Sequence, residues 1–86
     1  MNNKILITID VPLLDSSFDV FVPINRKIGT IKKFCLEQIK DLSGRSVNDE
    51  ELSGMRLYDK ENCNIYDLDV YIKNSEIKNG TNLILI

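Results

Sequence analysis

Eighty-six residues, 43% apolar and 28% charged, make one globular domain, 1–86, near the lower size at which a core sustains itself without staples. A net charge of −2 gives no general attraction to nucleic acid, and no stretch approaches the roughly 20 apolar residues of a membrane span. The chain has no histidine, which removes the commonest general base, and two cysteines, too few for a thiolate iron–sulfur site.

Met1 to Lys4 lacks the apolar core and small-residue cleavage site of a signal peptide, so a cytoplasmic location is expected. Ile5, Ile7, Ile9 and Val11 then alternate with Leu6, Thr8 and Asp10, the period of a strand with one buried face. Pro12 to Ser17 breaks the alternation with turn formers. It resumes with Phe18, Val20 and Val22 against Asp19 and Phe21, which predicts a hairpin ending at Pro23.

The period next changes to that of a helix. Ile31, Phe34, Cys35, Ile39 and Leu42 fall on one face, with Lys32, Lys33, Glu37 and Lys40 on the other. Thr30 is the expected N-cap and Gly44 the expected stop, giving a helix of about 13 residues. Arg45 to Ser53 is polar and acidic, with Asn48-Asp49-Glu50-Glu51 at its centre. Met55 and Leu57 alternate with Arg56 and Tyr58 as a third strand, a turn follows over Lys60 to Asn64, and Ile65-Tyr66 reads as a very short fourth strand. Asp67 to Asn74 is irregular, with Leu68, Val70 and Ile72 expected to cover the core. Asn79-Gly80 signals a turn before a buried final strand, Leu83 to Ile86.

Few side chains offer chemistry. Cys35 lies on the apolar helix face and Cys63 in a polar turn, and both are expected to be unpaired. Zinc would need carboxylates to complete two distant thiolates, so no metal is expected. Asp67 with Asp69, and Asp49-Glu50-Glu51, read as solvated turn and capping groups rather than acid–base pairs. The four glycines are scattered singly, so no phosphate cradle exists and no cofactor is expected. The expected protein is not an enzyme, and what remains is binding through a surface. Strand parity puts Leu6, Thr8, Phe21, Tyr58 and Ile84, with Ile86 next in line, on the sheet face away from the helix. An aromatic and aliphatic cluster of this kind is expected to meet a protein partner or a second copy. The competing surface is the basic helix face, Lys32, Lys33 and Lys40 with Arg26 and Lys27, which reads more simply as a solvated face.

The order strand–strand–helix–strand–short strand–strand is similar to that of the ubiquitin-like β-grasp fold, an α+β arrangement with one helix across a mixed four- to five-stranded sheet. The ending Ile77-Lys78-Asn79-Gly80-Thr81-Asn82-Leu83-Ile84-Leu85 resembles that fold's Ile-x-x-Gly-x-x-Leu-x-Leu pattern. The fold-level resemblance implies that the first and last strands lie parallel at the sheet's centre. It also implies noncovalent recognition by the outer face. No diglycine follows the last strand, so conjugation to targets is not expected. A narrower resemblance, carried by Asp19-Val20-Phe21-Val22-Pro23 with Ile28 and Ile31, is to the YukD/EsaB family of Gram-positive bacteria. Those small proteins accompany type VII secretion. The acidic segment at Arg45–Ser53 departs from them. This resemblance implies an accessory or regulatory role, with a secretion-machinery protein as partner. In larger homologous arrangements such a domain is fused to a membrane transporter. The alternative is a generic ubiquitin-like interaction or structural subunit unrelated to secretion.

Overall fold

A computed structural model describes residues 3–42 and 49–86. Its first two strands, β1 (Lys4–Val11) and β2 (Ser16–Pro23), form an antiparallel hairpin in continuous register from Lys4↔Pro23 to Val11↔Ser16. The reversal is a single 3-10 turn, Pro12–Leu14, closed by the Asp15 amide donating to the Pro12 carbonyl at 2.9 Å, with Asp15 itself left-handed at φ 51°. Aspartate tolerates that conformation better than most side chains.

The helix α1 spans Ile28–Leu42 and begins two residues before the expected Thr30 cap. The difference has a tertiary cause. The amides of Ile28 and Gly29 donate to the backbone carbonyls of Val70 and Leu68, both at 2.9 Å. The irregular segment thus satisfies the orphan donors of the first turn, and no capping side chain is needed. The expected stop at Gly44 lies outside the described residues. A five-residue helix α2, Asp49–Ser53, occupies the end of the polar, acidic segment and puts Leu52 into the core.

The third strand is shorter than expected. β3 covers Leu57–Asp59, with Met55 buried ahead of it, and Ile65-Tyr66 makes only a bridge, Tyr58↔Ile65. β4 (Asn82–Leu85) runs parallel to β1 and antiparallel to β3, giving the order β2-β1-β4-β3. The turn before β4 is welded to β1: Gly80, at φ 90°, donates to the Leu6 carbonyl and the Asn79 side chain accepts from the Leu6 amide, both at 2.8 Å.

One core lies between sheet and helix. Ile7, Ile9, Val11, Leu57, Leu83 and Leu85 supply its sheet side, and Ile28, Ile31, Cys35 and Ile39 its helix side. Burying such a side chain is worth roughly 1.5–3 kcal/mol, so this alternation, more than any polar contact, decides the fold. Ile72 and Ile77 close one end, with Leu68 and Val70 half-buried against them. Phe34 departs from expectation. It is 43% exposed, because α1 centres its Ile28–Ile31–Cys35–Ile39 stripe on the sheet and Phe34 hangs over the β2 margin, where no further strand among the described residues covers it.

Candidate protein-binding face

The sheet face opposite α1 has no second layer among the described residues. Its outward side chains come from the alternate positions of all four strands, since Ile7, Ile9, Leu83, Leu85 and Leu57 take the inner ones. Leu6, Thr8, Phe21, Tyr58 and Ile84 all stand here, but as two groups. Leu6 and Phe21 are paired across β1 and β2 at one corner, and Phe21 is 65% exposed. Tyr58 and Ile84 are paired across β3 and β4 at the opposite corner, half-buried, with the exposed Ile86 beside them.

A polar band separates the corners. The Thr8 hydroxyl donates to Asp19 at 2.6 Å, Asn82 lies next to Thr8 in the parallel ladder, and Lys60 pairs with Asp10 at 3.3 Å. Lys60 is exposed and Asp10 only half-buried, so that ion pair contributes little to stability. The face therefore offers two small apolar contacts flanked by hydrogen-bonding groups, the composition of a protein-contact surface. Of the basic residues, Lys33 and Lys40 are exposed on α1 with Lys32 half-buried. Arg26 and Lys27 are exposed past the Pro23 end of β2, where Arg26 lines the same small hollow as Phe21.

Beyond the polar band, Asp59 organises the turn after β3. Its carboxylate accepts from the amides of Glu61 (2.8 Å) and Asn62 (3.1 Å) and from the Tyr66 hydroxyl (2.9 Å). Burial opposes ionisation of Asp59, but the Asn62, Tyr66 and Glu61 hydrogen bonds outweigh it and hold the carboxyl below its ordinary 3.8. The same contact, after burial itself, pushes the Tyr66 hydroxyl upward from 10.0. These shifts serve a turn, and sequence reading did not find them; the Asp-x-x-Asn spacing was the available signal. Asp67 likewise accepts the Asp69 amide at 2.9 Å, a turn contact of the kind expected.

Chemical candidates are few. An open, polar hollow of about 570 Å³ near Asp59 collects Glu61, Glu76 and Lys78 with Asn79 and Asn82. Among the described residues no group of three or more His, Cys, Asp or Glu is arranged to hold a metal ion. Cys35 and Cys63 are both free, one buried and one exposed, and burial raises the Cys35 thiol to about 11. No helix among the described residues is long and apolar enough to cross a membrane.

No protein-family profile matches the chain, and no curated protein is detectably similar to it in sequence. Solved structures are similar in fold. The ubiquitin of Caldiarchaeum subterraneum is 14% identical, with a TM-score of 0.73 over 95% of this chain and 90% of that one. A chain of a toluene 4-monooxygenase complex is 12% identical, with a TM-score of 0.75 over 95% of both. A chain of the ESX-5 inner membrane complex is 9% identical with a TM-score of 0.72, over 99% of this chain but only 21% of that one. At such identities the likeness speaks for architecture alone. The chain has the ubiquitin-like β-grasp fold.

Proposed function

We propose that this protein is a non-catalytic binding module, an accessory or regulatory component of a type VII secretion system that docks on a machinery protein. The contact residues are Leu6, Thr8, Phe21, Tyr58 and Ile84. The observation that carries the reading is the Leu6–Phe21 corner, a solvated aromatic on an otherwise well-packed small domain. Side chains with that exposure contribute little to folding and much to association when a partner desolvates them. The secretion link is supported by the YukD/EsaB-like residues Asp19–Pro23 and by the fold shared with a segment of an ESX-5 membrane-complex chain.

The runner-up is a structural subunit of an unrelated complex, favoured by the equally close fold match to a chain of a monooxygenase complex. Export of small WXG100-type substrates from a strain lacking this gene separates the two. The secretion reading expects export to fall, to recover with the wild-type gene, and not to recover with Phe21→Ser. Unchanged export in the deletion strain overturns it in favour of the runner-up.

A further inference from the structure

The edge of the sheet at β2 is open. The Ile24 amide donates to the Asn3 carbonyl at 2.8 Å, which fixes the phase of the hairpin ladder. Ile5↔Val22, Ile7↔Val20 and Ile9↔Phe18 are then its hydrogen-bonded pairs, and the backbone groups of Ser17, Asp19, Phe21 and Pro23 face away from β1. No strand of the described residues meets them. Such a row is a template for another strand.

An apolar seam runs along this edge between β2 and α1. Two hollows of about 120 and 270 Å³ meet at the exposed Phe34, with Phe18, Val20, Val22 and Ile31 in their walls. The seam is also polarised. Arg26 and Lys27 are exposed beyond its Pro23 end, and Asp15 is exposed at the hairpin end.

We propose that β2 pairs antiparallel with β2 of a second copy of this chain, about a two-fold axis at Val20, joining the two sheets into one. Charge selects both the occupant and the register. Antiparallel self-pairing lays the Arg26–Lys27 end of each copy against the Asp15 end of the other, so the polarised seam is complementary to itself. An axis at Asp19 would face two carboxylates across the new ladder, which is destabilising. An axis at Phe21 would leave the Ser17 amides without partners. At Val20, Asp19 lies opposite Phe21 of the second copy and every outward amide from Ser17 to Phe21 finds a carbonyl. The Asp19 carboxylate is already drawn back over the outer face by Thr8, at 2.6 Å. On the inner face Val20 meets its own counterpart and Phe18 meets Val22, while Phe34 of each copy covers the joint. Phe21 belongs both to the outer face and to the wall of the smaller hollow, so the two readings are separated by Ser17→Pro, which acts on the edge backbone alone, and by Tyr58→Ser, which lies at the far corner of the outer face.

Sedimentation equilibrium on the full chain is the direct test. The expected result is a concentration-dependent rise from 9.9 kDa toward twice that mass, weakened by salt. A monomer at every concentration overturns the proposal, even if an unrelated peptide binds the same edge. Ser17→Pro removes one outward amide per copy and leaves the β1 ladder intact, so it is expected to weaken the dimer about tenfold or more with unchanged circular dichroism. An equally tight dimer overturns the pairing. Register is read by oxidising Val20→Cys in a Cys63→Ser background. Facing residues of this pair class lie about 4.5 Å apart at Cα, within disulfide reach. Crosslinking of Val20→Cys but not of Asp19→Cys is expected, and the reverse pattern overturns the Val20 axis.

Discussion

Gly80 shows how a single residue ties local conformation to the sheet. Its φ of 90° suits glycine, and its amide and the Asn79 side chain both hold the backbone of Leu6, a member of the exposed corner. Gly80→Ala finds open space for the new Cβ, so its cost is conformational alone. A loss of about 1 kcal/mol or somewhat more is expected in denaturant melts. Asp59 and Tyr66 give the residue scale a pH signature. Tyr66 is raised above 10.0, so its contribution to stability is fully present below that pH and is lost as pH climbs through the folded value. Asp59 is lowered, so its contribution holds above 3.8 and fades as acid carries the pH below it. Thermal melts across pH 8 to 12 check the first, with Tyr66→Phe expected to be less stable at pH 8 and to decline less steeply above pH 10. A Tyr66→Phe profile parallel to wild type contradicts the coupling.

At the scale of elements, the strongest dependence falls on β4. It is the central strand that joins β1 to β3, with Leu83 and Leu85 fully buried. Leu83→Ala is expected to cost roughly 2–5 kcal/mol. Removing Leu83–Ile86 is expected to abolish cooperative unfolding, whereas unchanged circular dichroism and melting temperature would show that the segment is not a strand of the core. This element was legible in the sequence because the Asn79-Gly80 turn and the Leu83/Leu85 alternation agree. So was the hairpin, whose period-2 pattern spans both strands. The start of α1 was not legible, because its first amides are satisfied by Val70 and Leu68 from forty residues away in the chain, and Thr30 is only a local signal. Helix α2 was hidden for a different reason. Asp49-Glu50-Glu51 dominates its composition, and the apolar pair Leu52 and Met55 is too short to set a period. Phe34 sits at correct helical spacing yet overhangs β2, since periodicity gives the apolar side of a helix but not the width of the sheet beneath it.

On the scale of the whole molecule, one core among the described residues holds an outer sheet face whose most exposed side chain, Phe21, the fold hardly needs. Parity along β1, β2, β3 and β4 was enough to place Leu6, Thr8, Phe21, Tyr58 and Ile84 on it. Their division into two corners was not readable, because it depends on the parallel β1–β4 register and on the Asp10–Lys60 pair between them. The central claim is that these corners bind and do not stabilise, and capture of the partner by Phe21→Ser/Tyr58→Ser, with melting temperature measured on the same preparation, tests it most directly. The account predicts that the double variant keeps a melting temperature close to wild type and loses the partner, since interface aromatics typically carry about 2 kcal/mol or more of binding energy. Charge reversal at Lys32 and Lys33 is expected to change mostly salt dependence and association rate. Binding retained by the serine variant and abolished by the lysine reversals would contradict the account.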